Sequence, residues 1–180
     1  MPVAASTLAS LFHKCAELLT PLYDRLCTVL AEQEVVQADE THIKVLDKGK
    51  TRRAWIWTFN AGELVVYRYA ADRSGQTPVQ VLGASKGTLV VDGYTGYNQV
   101  TTPQGRTRAG CLAHLRRKLF DALATAPDMQ VGLNLILNVY QIEHEALAKG
   151  IVRTPAHAEL RNTSGRAAMQ ALHDWLLENA

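Results

Sequence analysis

The spacing of apolar residues changes near residue 34, from a helical period to a strand-like one. Residues 5–33 are predicted to be helical, because apolar side chains recur there every three or four positions. These positions are Leu8, Leu11, Phe12, Cys15, Leu18, Leu19, Leu22, Tyr23, Leu26 and Leu30. Pro21 is expected to kink or divide this stretch, and Thr20 is a candidate N-cap for its second half.

Five segments after residue 34 have the composition of β-strands. The residues 35–45, 54–59 and 64–69 are rich in β-branched and aromatic side chains, and a turn signal at 60–63 joins the last two as a hairpin. Residues 88–91 form a continuous apolar run, as in a strand that is buried on both faces. Residues 106–110 are predicted as a final short strand.

Helices alternate with the later strands and fill the C-terminal third. Thr77-Pro78 is typical of a helix start, and Gly83 of its end. Residues 112–126 form a basic amphipathic pattern, residues 131–149 a long apolar one, and weaker helical patterns follow Pro155. A three-strand start followed by alternating helix and strand predicts an α/β fold with a mixed sheet covered by helices.

This order of elements is that of the ribonuclease H-like fold, in which the first and fourth strands are neighbours. The predicted organisation is an N-terminal helical segment (1–33), a ribonuclease H-like core (34–126) and a helical insertion or extension (127–180). Asp39 lies in the first strand and Asp92 follows the fourth, so their carboxylates are expected to converge.

Two converging carboxylates are able to hold two divalent ions for phosphoryl-transfer chemistry, and oxygen ligands suit Mg²⁺ or Mn²⁺. A third acid normally completes such a site. The spacing alone leaves a plainer alternative open, in which Asp39 is a strand-edge residue and Asp92 forms a turn before Gly93.

Composition excludes several classes of protein. The 180 residues are 47% hydrophobic and carry a net charge of +2, so any nucleic-acid surface must come from local clusters. Cys15, Cys27 and Cys111 are odd in number and scattered, which favours free thiols in a reducing compartment. Neither a membrane-spanning run nor a signal-peptide pattern is present. These features predict a cytoplasmic protein with no membrane partner.

Five motifs occur in an order that resembles one known family. They are ADETHIKVL, RSGQTPVQVLG, LVVDGYTGYN, RAGCLAHLRRKLFDAL and VYQIE, and together they resemble the transposases of the insertion-sequence 66 (IS66) family, a branch of the DDE transposases. The resemblance implies metal-dependent cleavage and strand transfer of DNA, in the bacterial cytoplasm or nucleoid. It makes Asp39 and Asp92 the first two catalytic acids.

The third acid of that family is expected in an asparagine-asparagine-x-x-glutamate-arginine motif, which this sequence lacks. Glu143 is the internal substitute at a plausible position. The sequence therefore resembles the core of a longer transposase that is truncated at both ends. The alternative is a non-catalytic DNA-binding or assembly remnant that pairs with DNA or with a full-length transposase.

Basic residues near the acids are the candidates for DNA contact. Arg116, Arg117 and Lys118 follow one another on a predicted helix, and arginine suits bidentate phosphate contacts. Their alternative is a solvated helix face. Arg73 and His114 are further candidates by resemblance, and Cys111 with His114 is half of a possible zinc site. The expected partners are transposon ends, target DNA and, by analogy, a second copy of the chain.

A second basic cluster surrounds Gly49. Lys48, Lys50, Arg52 and Arg53 are its members, and a charged hairpin loop is favoured slightly over a DNA contact. Glu40 is expected to point away from Asp39, because neighbouring residues in a strand face opposite sides of the sheet.

Overall fold

The computed structural model describes residues 3–179. The chain forms two compact units, Met1–Gly110 and Cys111–Ala180. The first contains α1 (Ala5–Ala31), β1 (Val35–Asp47), β2 (Lys50–Ala61), β3 (Leu64–Ala70), α2 (Gln76–Leu82), β4 (Thr88–Val91), a 3₁₀ turn (Thr95–Tyr97) and β5 (Thr107–Gly110). The second contains α3 (Leu112–Ala122), α4 (Met129–Ala148), α5 (Pro155–Leu160), a π-helical turn (Arg161–Gly165) and α6 (Arg166–Glu178).

A five-stranded mixed sheet in the order β3-β2-β1-β4-β5 forms the first unit. The first three strands are antiparallel neighbours, whereas β1 pairs with β4 and β4 with β5 in parallel. The predicted mixed α/β sheet with flanking helices is therefore confirmed. The parallel pair of β1 and β4 matters for the candidate site, because Asp39 lies in β1 and Asp92 directly follows β4.

Helix α1 is a single helix of 27 residues that includes Pro21. Of the two expectations for this proline, a kink or a division, the division was wrong. The Thr20 hydroxyl donates to the carbonyl of Ala16 at 3.2 Å, one turn back, and so cannot cap a new helix. Only the C-terminal part of α1 reaches the core, where Leu30 is fully buried. The apolar side chains nearer its start, such as Phe12 and Leu18, are exposed.

The sheet presents one strongly buried face to α1 and α2. Along β1, Val36 and Ala38 are buried while their neighbours are exposed, and across the ladder Phe59 and Trp57 continue the same face. Strand β2 is opposite β1 with Trp57 facing Glu40. Glu40 therefore belongs to the buried face and Asp39 to the opposite one, as predicted from the alternation along a strand.

Arg106 ties three segments of the first unit together from a fully buried position. It is 1% exposed and donates to the backbone carbonyls of Ala31, Gln33 and Thr88 at 2.8–3.2 Å, and to the Ser85 hydroxyl at 2.9 Å. Burial lowers the pKa of its guanidinium. The end of α1, the approach to β1 and the start of β4 are thus held by one side chain.

The second unit is helical and has its own core around Leu119, Ile136 and Leu172. Helices α3 and α4 are shorter or shifted relative to the predicted ranges, and a turn at residues 123–128 separates them. Gly132 allows the close approach of α6, since an added Cβ would lie 2.4 Å from the Trp175 ring. Among the described residues, no helix is both long and apolar enough to cross a bilayer.

Candidate functional site

The parallel pairing of β1 and β4 makes these strands neighbours, and Asp39 and Asp92 lie just beyond their paired residues. Its register joins Val35 to Thr88, Val36 to Leu89 and Gln37 to Val90. The paired residues end there, Asp39 lies two positions further along β1, and Asp92 directly follows β4. Continued by two residues, the register would bring Asp39 opposite Asp92, and neighbouring strands lie about 4.8 Å apart.

Asp92 is fixed by the turn that it starts. Its Oδ1 accepts from the backbone N–H of Tyr94 at 2.9 Å, an arrangement typical of aspartate before a turn. Arg108 of β5 donates to the carbonyls of Asp92 and Tyr94 at 2.7 and 2.6 Å. The other carboxylate oxygen of Asp92 has no part in this turn. The turn-forming alternative is therefore compatible with a ligand role for the same residue.

A buried carboxylate lies on the other side of β1. The Glu40 side chain is 1% exposed and accepts two hydrogen bonds on Oε1 from Arg73, from Nε at 2.8 Å and Nη2 at 2.5 Å. Its Oε2 accepts from the Tyr97 hydroxyl at 2.5 Å. A carboxylate taken out of water requires such partners to remain charged. Glu40 thereby connects β1 to the loops that precede α2 and follow β4.

The Tyr97 hydroxyl is buried among negative charges. Burial, the hydrogen bond to Glu40 and the charges of Glu40, Asp39 and Asp92 all raise the pKa of its hydroxyl. The phenol therefore stays protonated and remains a donor. Asp39 and Asp92 thus both act on the hydroxyl that donates to Glu40.

Arg73 lies between two aromatic rings while it pairs with Glu40. Its Cζ is 3.9 Å from the centre of the Tyr94 ring and 5.0 Å from that of Trp55. Burial lowers the pKa of Arg73, but the hydrogen bond and charge of Glu40 outweigh it, so the pKa is raised overall. Asp92 adds to this increase, and the Arg73 side chain is 39% exposed. A cation thus stands beside the acids with part of its surface in solvent.

The remaining predicted site residues belong to the second unit. Arg116, Arg117 and Lys118 are exposed on α3, and His114 is half-buried one turn earlier. Cys111 precedes α3 and is also half-buried. Within residues 3–179, no group of three or more His, Cys, Asp or Glu side chains forms a metal-binding cluster.

Glu143 on α4 is engaged by neighbours within its own unit. Arg161 donates to both of its carboxylate oxygens, at 2.7 and 2.6 Å. His157 Nε2 lies 3.2 Å from Oε2. Arg161 is the largest cause of the lowered pKa of Glu143, and His157 contributes. This geometry gives Glu143 a clear structural partner, whereas a role as third acid stays a prediction.

Sequence reasoning did not recognise the part played by Glu40. The alternation of side chains along a strand could have indicated this role. Glu40 follows Val36 and Ala38 at intervals of two residues, and so lies on the apolar face of β1. A charged residue on such a face requires a partner. Trp57 and Tyr97 pack against each other on this face, with ring centres 5.6 Å apart.

The chemistry of Asp39 and Asp92 suits a hard divalent cation, because Mg²⁺ and Mn²⁺ prefer carboxylate oxygens whereas zinc prefers sulfur and imidazole ligands. Two carboxylates repel a phosphodiester, so these residues would act on one only through a bound cation. The arrangement therefore supports metal-assisted phosphoryl transfer as a candidate activity.

Comparison with known proteins agrees with the motifs. The model of the IS66 transposase family matches residues 1–180. The uncharacterized protein y4jD of Sinorhizobium fredii (strain NBRC 101917 / NGR234) is 34% identical over 146 residues, covering 71% of this chain and 29% of that protein. The uncharacterized protein y4qI of the same strain is 28% identical over 176 residues, covering 87% of this chain and 32% of its own length. The chain thus spans about a third of these relatives, and it belongs to the IS66 transposase family.

Proposed function

We propose that this chain is part of a DDE-type transposase core with a ribonuclease H-like sheet, in which Asp39 and Asp92 hold Mg²⁺ or Mn²⁺. The observation that carries the proposal is the parallel register of β1 and β4, which, continued by two residues, would bring the two carboxylates opposite each other. The strand order, with three antiparallel strands followed by two parallel ones, supports the ribonuclease H-like assignment.

The proposed reaction is cleavage of DNA at transposon ends, followed by transfer of the freed 3′-hydroxyl to target DNA. Carboxylate-bound divalent ions supply an activated attacking oxygen and stabilise the leaving oxygen in such reactions. The chain contributes fixed carboxylates, with Asp92 oriented by its turn. Arg73 contributes positive charge beside the acids, and Glu40 and Tyr97 act as positioning residues.

DNA contact is proposed for the basic residues of both units. Arg116, Arg117 and Lys118 are exposed and free to reach phosphates. His114 stays a candidate on the same helix. Arg73 is partly committed to Glu40, so its contact with a phosphate would use the exposed part of its guanidinium.

A metal-binding measurement tests the carboxylate pair directly. Mn²⁺ affinity, followed by electron paramagnetic resonance, is expected to fall at least about tenfold, or about 1.4 kcal/mol, in Asp39→Asn and in Asp92→Asn. Asp121→Asn, which removes an exposed carboxylate from α3, is the matched control and is expected to bind as the parent does. Equal affinity in all four proteins would refute the proposal.

The second candidate function is a non-catalytic DNA-binding or assembly module. It is favoured by the salt bridge that engages Glu143 and by the lack of a cluster of three acids among the described residues. Mn²⁺-dependent nicking of supercoiled DNA by the parent and by Glu143→Gln separates the two. Nicking that is lost in Glu143→Gln supports a complete site within this chain. Mn²⁺ binding without any nicking supports the second candidate.

A further inference from the structure

The strands β1 and β2 extend beyond the rest of the sheet as a two-stranded ribbon. Strand β4 pairs with β1 only as far as Gln37, and β3 pairs with β2 only from Trp55 onward. Residues 43–54 therefore have no third strand beside them and are closed by the turn at Lys48 and Gly49, both of which have positive φ. We call residues 43–54 the basic ribbon.

Positive charge is concentrated in this ribbon. It contains five basic residues and one acidic residue, a net charge of +4, although the whole chain carries only +2. Arg52 pairs with Asp47 at 3.3 Å. Among residues 3–179, no ion pair is formed by the other four basic residues of the ribbon. They are Lys44, Lys48, Lys50 and Arg53.

Two of these cations face each other across the ribbon. Lys44 is the register partner of Arg53, and like charges directly opposite each other destabilise a strand pair. Both line an open cleft of about 340 Å³ together with His42, Thr51 and Arg52. Lys44 and Arg53 therefore repel each other beside an open cleft, and neither forms an ion pair with an acidic side chain in the described part of the chain. This arrangement is typical of a site whose positive charge is neutralised by a bound anion.

We propose that the basic ribbon binds the phosphate backbone of duplex DNA, with Lys44 and Arg53 each contacting a phosphate. A projecting two-stranded ribbon has the dimensions that the major groove of DNA admits, which favours DNA over an acidic protein surface. The choice of DNA as the polyanion rests on the proposed transposase function. The contact adds a second DNA-binding surface, formed by strand residues remote in sequence from Arg116 and Arg117.

Salt-dependent binding tests the ribbon. Fluorescence anisotropy with a 30-base-pair duplex in EDTA gives the slope of log K against log[KCl], and each neutralised phosphate contributes about 0.9 to its magnitude. The double variant Lys44→Ala/Arg53→Ala is expected to lower this magnitude by about 2. The matched control Lys14→Ala/Arg25→Ala removes two exposed charges from α1 and is expected to leave the slope unchanged. Equal slopes in the two double variants would overturn the proposal.

A charge reversal separates DNA binding from a purely structural role. Lys44→Glu places an acid opposite Arg53, so the melting temperature is expected to stay equal or rise while DNA affinity falls by about tenfold or more. Unchanged affinity in a folded Lys44→Glu protein contradicts the ribbon proposal. Because the binding assay contains EDTA, its failure leaves the Mn²⁺ result for Asp39 and Asp92 unaffected, and the two proposals fail separately.

Discussion

Removal of the Tyr97 hydroxyl tests whether Glu40 is held as the structure indicates. Tyr97 is fully buried and donates to Glu40 Oε2 at 2.5 Å, so Tyr97→Phe removes the hydrogen-bond donor of this carboxylate oxygen. Hydrogen bonds to charged groups contribute about 1.5–3 kcal/mol, and we expect the free energy of unfolding to fall by this amount. That is a large fraction of the roughly 5–15 kcal/mol by which a domain is stable.

The assay is urea unfolding followed by tryptophan fluorescence, in a Trp175→Phe background so that the signal comes from Trp55 and Trp57 of the first unit. Tyr67→Phe is the matched control, since Tyr67 is 62% exposed, and its change in unfolding free energy is expected to stay within about 0.5 kcal/mol.

A double-mutant cycle isolates the contact itself. Tyr97→Phe, Glu40→Ala and their combination are expected to give a coupling energy of about 1.5–3 kcal/mol, because each single variant removes the same hydrogen bond. Glu40→Ala alone is expected to cost more than Tyr97→Phe, since Arg73 also loses its acceptor. A coupling energy indistinguishable from zero would refute the reasoning that Glu40 is a charged acceptor for Tyr97.

Three further predictions concern other parts of the chain. Gly132→Ala is expected to destabilise the second unit by about 1–3 kcal/mol in thermal unfolding, whereas Gly165→Ala, with 3.6 Å to its nearest neighbour, is tolerated. Glu143 has a lowered pKa beside Arg161, so its stabilisation is present above about pH 4.3 and is lost as the pH falls through its folded pKa. Since this pair is half-exposed, the unfolding free energy of the parent should exceed that of Glu143→Gln by at most about 1 kcal/mol at pH 7. A difference that persists at pH 2, where the carboxylate is protonated, would contradict this explanation. Arg106→Met is expected to cost about 3 kcal/mol or more in urea unfolding, because three backbone carbonyls lose their donor, and a loss below about 1 kcal/mol would contradict this.

Much of the sheet followed from local sequence patterns. The hairpin signal between β2 and β3, the apolar run of β4 and the helix end at Gly83 all indicated the observed elements. These features depend on neighbouring residues, and turn chemistry and apolar period report them well. The bounds of α3 and α4 were less well predicted, because the intervening turn contains residues that also suit helices.

The continuity of α1 could not be predicted in the same way. Pro21 removes one backbone donor and favours a kink, yet the helix continues, with its C-terminal part packed into the core through Leu30. Tertiary packing is able to override such a local preference. The helical period likewise predicted the apolar positions of α1 without showing that those near its start, such as Phe12, are exposed.

The sequence pointed to the two acids but not to the residues around them. Asp39 and Asp92 stood out because they lie at strands and within motifs that resemble those of the IS66 family, and their catalytic role stays a prediction. The partnership of Glu40 with Arg73 joins residues 33 positions apart and depends on the path of two loops. No local sequence pattern predicts this contact, although the position of Glu40 on the apolar face of β1 indicated that it required a partner.

The buried guanidinium of Arg106 makes the chain sensitive to substitution at a position other than its candidate catalytic acids. It fixes the approach to β1 and the start of β4, the two strands on whose alignment the proposed pairing of Asp39 with Asp92 depends. A genetic screen for loss of function should therefore recover substitutions at Arg106 as readily as at the acids. An insertion ahead of either strand would be tolerated only if it preserved that alignment, so natural length variation should be confined to connections elsewhere, such as the turn of the basic ribbon.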